Sequence, residues 1–174
     1  NKHLLPVGDV PMIYHPIQRL VEAGIKDIMI VTGVEHCGDM MSLLGSGAEH
    51  GCSFTYKVQD QPDGIAGALR LCEGFVGDSS CIVILGDNIF KENLEPHIRD
   101  FVSSEIIEIE EKPEMPKSKL ACVGIYFYTN KVFSVIEHAK MSERGEYEIT
   151  SINNKFISEK TCGYSILEER WADA

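Results

Sequence analysis

Cys81-Ile82-Val83-Ile84-Leu85-Gly86-Asp87-Asn88-Ile89 decides the fold, because an apolar run meets a glycine and then a carboxylate. A run of this kind reads as a strand covered on both faces. Gly86 lets backbone approach a ligand where the chain leaves the sheet. Open α/β sheets place their ligands at the carboxyl ends of strands, so Asp87 is expected in a crevice there. Taken alone, the same residues also read as an Asp-Asn turn that closes a strand.

The flanking pattern favours a wrapped parallel sheet. Upstream, Ile13, Ile17, Leu20 and Val21 recur at helical spacing and Gly24 stands where a helix-closing glycine belongs. Pro16 within that helix is harmless only in the first turn. A buried-type strand, Ile28-Met29-Ile30-Val31, ends at Thr32-Gly33, and a helix over Asp39 to Leu44 stops at Gly45-Ser46-Gly47. Phe54 to Val58 alternates like a strand and leads through the turn-rich Gln59 to Gly64 into a helix over Ile65 to Leu71. Alternating strand and helix of this kind predict an α/β fold with parallel pairing. Further on, the pattern predicts a helix over Leu94 to Val102, strands at Ile106 to Glu111 and Cys122 to Tyr128, helices over Val132 to Ala139 and Glu148 to Ser158, and a last strand near Tyr164 to Leu167. The Pro-rich stretch Lys112 to Lys119 reads as a loop.

At 174 residues with 44% apolar content, the chain suits one domain, residues 1–174. A net charge of −11 with no cluster of Lys or Arg argues against a nucleic-acid partner. No apolar stretch is long enough for a membrane helix, so a soluble, cytoplasmic chain is expected. Six cysteines, Cys37, Cys52, Cys72, Cys81, Cys122 and Cys162, stand singly without a C-x-x-C pair and read as buried small hydrophobes in a reducing compartment. His36, His50 and His138 lack metal-ligand spacing and read as surface or helix-end residues.

Five stretches then stand in a recognisable order: Asn1-Lys2-His3-Leu4-Leu5-Pro6-Val7-Gly8, Val58-Gln59 through Gly64-Ile65-Ala66, Leu85-Gly86-Asp87-Asn88, Glu111-Lys112-Pro113 and Arg144-Gly145-Glu146-Tyr147-Glu148-Ile149-Thr150. With a closing Trp171-Ala172-Asp173, the chain resembles the sugar-1-phosphate nucleotidyltransferases over nearly its whole length. The resemblance implies a Rossmann-like α/β core with a mostly parallel or mixed sheet flanked by helices. It implies the joining of a nucleoside triphosphate, dTTP, to glucose 1-phosphate, with release of pyrophosphate and with Mg2+ as cofactor. Two family segments have no counterpart here: the N-terminal Gly-rich loop with its Arg, and two strands with a pocket glycine between Ser104 and Glu105. Both are expected to belong to the whole protein as disordered segments.

Nucleotidyl transfer needs in-line positioning and cancellation of negative charge. Asp87 and Asp173 offer hard oxygens from two strand ends, the usual way of holding magnesium, although Asp173 alone also reads as a frayed terminal acid. Lys2 takes the place of the family's phosphate-binding Lys. Lys112 is placed to meet the sugar phosphate and Glu111 the sugar hydroxyls, against the plainer reading of a solvated ion pair. Arg144, before a helix start, suits a bidentate phosphate grip or a plain surface position. Gln59 can offer an acceptor and a donor to a pyrimidine edge, and Gly64 leaves room for a base, yet both also read as turn residues. Gly86 and Asn88, flanking Asp87, join the substrate contacts, as does Gly124, a point of close backbone approach. Tyr126 reads as pocket wall or core, with core preferred.

The expected reaction is attack by a sugar-1-phosphate oxygen on the α-phosphorus of dTTP. Competing readings are a UDP-sugar or other NDP-sugar pyrophosphorylase and a non-catalytic nucleotide-sugar-binding regulatory protein. A homo-oligomer is expected, as is common in the family.

Overall fold

The computed structural model describes residues 1–99 and 106–173. In chain order the strands and α-helices are β1 Pro6–Val7, β2 Val10–Pro11, α1 Tyr14–Glu22, β3 Asp27–Gly33, α2 Cys37–Leu44, β4 Ser53–Gln59, α3 Ile65–Arg70, α4 Glu73–Val76, β5 Cys81–Ile84, β6 Asn88–Phe90, α5 Glu95–Arg99, β7 Ile125–Tyr128, α6 Lys131–Glu137, α7 Ile149–Ser158 and β8 Trp171–Asp173. The architecture is mixed α/β. Contacts divide the chain into two compact units: Asn1–Gln61 with Val83–Asp100 and Ile166–Ala174, and Pro62–Ile82 with Phe101–Ser165.

In the first unit, β3 and β4 pair in parallel from Asp27↔Ser53 to Gly33↔Gln59. β3 alternates exposed and covered residues and buries Ile28, Ile30 and Thr32 on one face. Helix α1 turns Ile17 and Leu20 inward, continuing the row begun by buried Ile13. Pro16 is its third residue, where the backbone N–H has no intrahelical partner to lose. The helix ends in a Schellman motif: Gly24, at φ +83°, donates to the Val21 carbonyl and Ile25 to that of Leu20. Phe90 and Leu94, 4% and 1% exposed, complete this core.

In the second unit, α3, α6 and α7 pack together around Ala66, Leu69, Val132, Phe133, Ile136, Ile149 and Ile152. A buried polar link crosses this core: the Tyr128 hydroxyl donates to Asn153 Oδ1 at 2.6 Å. Burial pushes the Tyr128 hydroxyl well above the ordinary tyrosine range, so it stays a neutral donor.

Several expectations need correction. Residues 106–110 form no strand, and Ile107 stands 91% exposed. The side chain of Asn154 replaces a neighbouring strand there, accepting from the Ile109 N–H at 2.9 Å and donating to the Ile109 carbonyl at 2.7 Å. The later strand covers only Ile125–Tyr128, after a bend at Gly124. Tyr164 is an isolated bridge residue, and no strand follows through Leu167. β5 is half-buried throughout rather than covered on both faces. The cysteines are free, but none is fully buried and Cys122 is exposed; Cys52 and Cys72 turn their thiols toward the Gly47 and Ala68 carbonyls. The predicted helix end at Val102 and the break between Ser104 and Glu105 lie outside the described residues. No helix among the described residues is long and apolar enough to cross a membrane.

Candidate functional site

Asp87 lies in a turn between β5 and β6, closed by the Asn88 N–H on the Leu85 carbonyl at 3.1 Å. Gly86 fits there because a Cβ would meet the His3 ring and the Ile13 side chain, each at 2.9 Å. The N-terminal residues are stitched beside this turn, since Ile13 N–H donates to the His3 carbonyl and Met12 N–H to that of Leu5. Asn1 caps the first short turn through its side chain, which accepts from the His3 N–H at 3.1 Å. Lys2 is thereby delivered to Asp87, with Nζ 2.8 Å from Oδ2.

Asp173 reaches the same turn through strand pairing. β6 and β8 run antiparallel in the register Asn88↔Asp173, Ile89↔Ala172 and Phe90↔Trp171. Before β8, the Glu92 carboxylate accepts from the N–H groups of Glu168 and Glu169 at 3.0 and 3.3 Å and pairs with His97 at 3.0 Å. Asn88 joins the two carboxylates: Nδ2 donates to Asp87 Oδ1 at 2.9 Å and to Asp173 Oδ1 at 3.4 Å. Its Oδ1 accepts from the Trp171 indole at 2.7 Å. At 2% exposure Asn88 faces these neighbours rather than solvent, so the expected substrate contact through its side chain is replaced by an internal one.

The electrostatics follow from this packing. Burial pushes the Asp87 carboxyl up, but the hydrogen bonds from Lys2 and Asn88 and the Lys2 charge outweigh it and hold the carboxyl below the usual range. The hydrogen bond to Asp87 raises Lys2 in turn. Burial lowers His3, against the opposing pull of the Asp87 charge. One ammonium against two carboxylates leaves a negative surplus. Among the described residues no group of three or more His, Cys, Asp or Glu gathers at one point. The two carboxylates offer hard oxygens, the donor chemistry that would suit a magnesium-type ion completed by waters and phosphates.

Gln59 closes β4 opposite Gly33.

The remaining sequence-predicted residues belong to the second unit. Gly64, at φ +93°, caps α3, and a Cβ there would fall 2.8 Å from the Tyr147 carbonyl oxygen. The missing side chain thus makes room for Tyr147 backbone. Tyr147 N–H donates to the Asp63 carbonyl at 2.7 Å, and its carbonyl accepts from Ala66 at 3.3 Å. Gly64→Ala is expected to lower stability by about 2 kcal/mol in denaturant unfolding, through positive-φ strain and this overlap. Arg144 stands among carboxylates, 3.3 Å from Glu146, 3.4 Å from Glu148 and 3.8 Å from Glu111. Glu111 also accepts from the Thr150 hydroxyl. Lys112 is held at φ +42° directly before Pro113, although residues preceding proline favour extended backbone. Gly124 is buried at its bend, and Tyr126 stacks on Tyr128 with ring centroids 6.1 Å apart. Three contributors were not singled out as site residues in the sequence, although Trp171 stands in the closing motif. The Trp171 indole donates to Asn88, Glu92 anchors the approach to β8, and Arg70 lies over the Tyr147 ring at 5.1 Å while pairing with Asp63 at 3.5 Å. Of these, only Trp171 left a signal, because residues two apart on a strand share a face and W-x-D therefore aims both side chains together.

The nucleotidyl transferase family matches this sequence over residues 1–105 and again over 100–174. The chain belongs to the nucleotidyl transferase family. Members with clear similarity include a glucose-1-phosphate thymidylyltransferase of Neisseria meningitidis, 34% identical over 99% of this chain and 69% of the relative. One of Mycobacterium tuberculosis is 35% identical over 99% of this chain and 70% of the relative. Among solved nucleotidyl transferases, a Bacillus anthracis protein assigned as a glucose-1-phosphate thymidylyltransferase, crystallised with sucrose, superposes with a TM-score of 0.91. It is 48% identical and is matched over 99% of this chain and 80% of its own. A UDP-glucose pyrophosphorylase bound to UDP-glucose shares the fold, with a TM-score of 0.70 at 22% identity over 91% of this chain and 79% of its own.

Proposed function

We propose that the chain joins dTTP and glucose 1-phosphate to give dTDP-glucose and pyrophosphate. The observation that carries this reading is the Asp87–Asp173 pair, drawn onto one amide and faced by Lys2. Asp87 and Asp173 would hold a magnesium ion, which would neutralise phosphate charge when bound. Lys2 adds a second cation beside Asp87, directed at triphosphate oxygens. Gln59, at the end of β4, offers its amide to the Watson–Crick edge of thymine. In the second unit, Glu111 accepts from sugar hydroxyls, with Gly124 and Tyr126 as further sugar contacts. Lys112 and Arg144 bind the sugar phosphate. Arg144 must then exchange one or more of its carboxylate partners for a phosphate, which favours its fork-shaped guanidinium over a lysine. The strained backbone of Lys112 supports a functional constraint at that position.

In the reaction the ionised sugar phosphate supplies the oxygen that bonds to the α-phosphorus. The α–β bridging bond breaks, and pyrophosphate leaves with the electron pair. No protein base is needed, because the nucleophile carries no proton to remove. The names of the relatives support thymidine and glucose as the substrate pair. The test is a pyrophosphate-release panel crossing dTTP, UTP, CTP, ATP and GTP with glucose, galactose and mannose 1-phosphates, with and without magnesium. The highest kcat/KM is expected for dTTP with glucose 1-phosphate, and only with the metal. A clear preference for another pair would replace the assignment, and silence across the panel would favour a binding-only protein.

A further inference from the structure

Asn88 is almost fully buried between two anions, and its orientation is decided elsewhere. We infer that Trp171 and Asn88 are positioning residues that hold the Asp87–Asp173 pair in register by fixing the direction of one amide. The inference rests on the reading of those carboxylates as cation ligands.

An Asn amide has one end that accepts and one that donates. The indole N–H only donates, so the end facing it must be the oxygen, and it lies 2.7 Å away. The amide nitrogen is then turned to the carboxylates, at 2.9 Å from Asp87 and 3.4 Å from Asp173. Ionised carboxylates only accept, so a reversed amide would set its oxygen against two negative groups. Asp87 is held from both sides: Oδ1 takes the Asn88 donor and Oδ2 takes the Lys2 ammonium. Strand geometry supplies the alignment, because Asn88 lies opposite Asp173 while Trp171 precedes Asp173 by two residues on the same face of β8. Loss of the indole donor removes the contact that anchors the oxygen end, so the amide can shift and the two carboxylates lose their common alignment, with both ligands still present.

Trp171 is the chain's one tryptophan, so its indole gives a single ¹⁵N–¹H signal. Mn2+ is the probe, read by electron paramagnetic resonance and by broadening of that signal. Trp171→Phe is expected to weaken Mn2+ binding about tenfold, the scale of losing a partner that orients a ligand. Asn88→Ala is expected to do the same, and the double variant no worse than the weaker single one, because the two act as a unit. In Asn88→Ala the indole signal should move and its hydrogen exchange accelerate at least tenfold, which keeps the inference testable if Trp171→Phe does not fold. Mn2+ affinity within twofold of the parent in Trp171→Phe, additive losses in the double variant, or an unchanged indole in Asn88→Ala would each overturn the lock. Asp87→Asn and Asp173→Asn separate the two readings. If they retain parental Mn2+ affinity, the ligand assignment falls; if they lose it while Trp171→Phe does not, only the lock falls.

Discussion

Asp87→Asn is expected to lower pyrophosphate release from dTTP and glucose 1-phosphate by a factor of about 10² to 10³, roughly 3–4 kcal/mol of lost charge stabilisation. The change keeps the size of the side chain and removes its charge. Lys2 then loses an ion-pair partner 2.8 Å away, and Asn88 faces an amide that can present either end. Asp173 is left as the lone carboxylate opposite Lys2, which cancels the negative surplus that draws in a divalent ion. Because the turn from Leu85 to Asn88 is closed by backbone, the variant should fold as the parent does, and its circular dichroism should be unaltered. Near-parental turnover would remove Asp87 from the reaction.

Lys2→Met carries the second large effect, and its sign differs between two measurements. The ammonium is half-exposed and competes with any bound cation for Asp87 Oδ2. Without it the acidic pair keeps its full charge, so the substrate-free protein should bind Mn2+ severalfold more tightly. In turnover the same cation is missing from the triphosphate, and kcat/KM should fall about 100-fold, near 2.7 kcal/mol. Weaker Mn2+ binding in the variant would mean that Lys2 serves chiefly to hold the Asp87 side chain in place. A loss of kcat/KM below threefold would take Lys2 out of the triphosphate site.

Much of this was legible in the sequence where a local rule and the tertiary context agree. Gly24 closes α1 because the chain must pass through positive φ there, and Pro16 is tolerated because it lies in the first turn. The alternation in Ser53–Gln59 gave β4 because a parallel partner, β3, lies directly against it. Ile106 to Glu111 shows the same alternation and forms no strand, since a side chain of α7 takes the hydrogen bonds a neighbouring strand would supply. Period-two patterning reports a preference for extended backbone and says nothing about who pairs with it. The meeting of Asp87 and Asp173 could be guessed from motif order alone. The bridging role of Asn88 could not, because it depends on a pairing register that no spacing within either motif encodes. Arg144 suits either a phosphate grip or a plain surface position by its sequence, and neither reading foresees its three glutamate neighbours, two of them within four residues.

The clasp between Asp63, Ala66 and Tyr147 is made of main-chain groups on both sides. Its geometry is therefore blind to most side-chain replacement, and sequence drift in either loop leaves their spacing intact. Gly64 is an exception, since a Cβ at φ +93° would fall 2.8 Å from the Tyr147 carbonyl oxygen, and Gly67 is another, since a Cβ there would run into the Asp63 side chain.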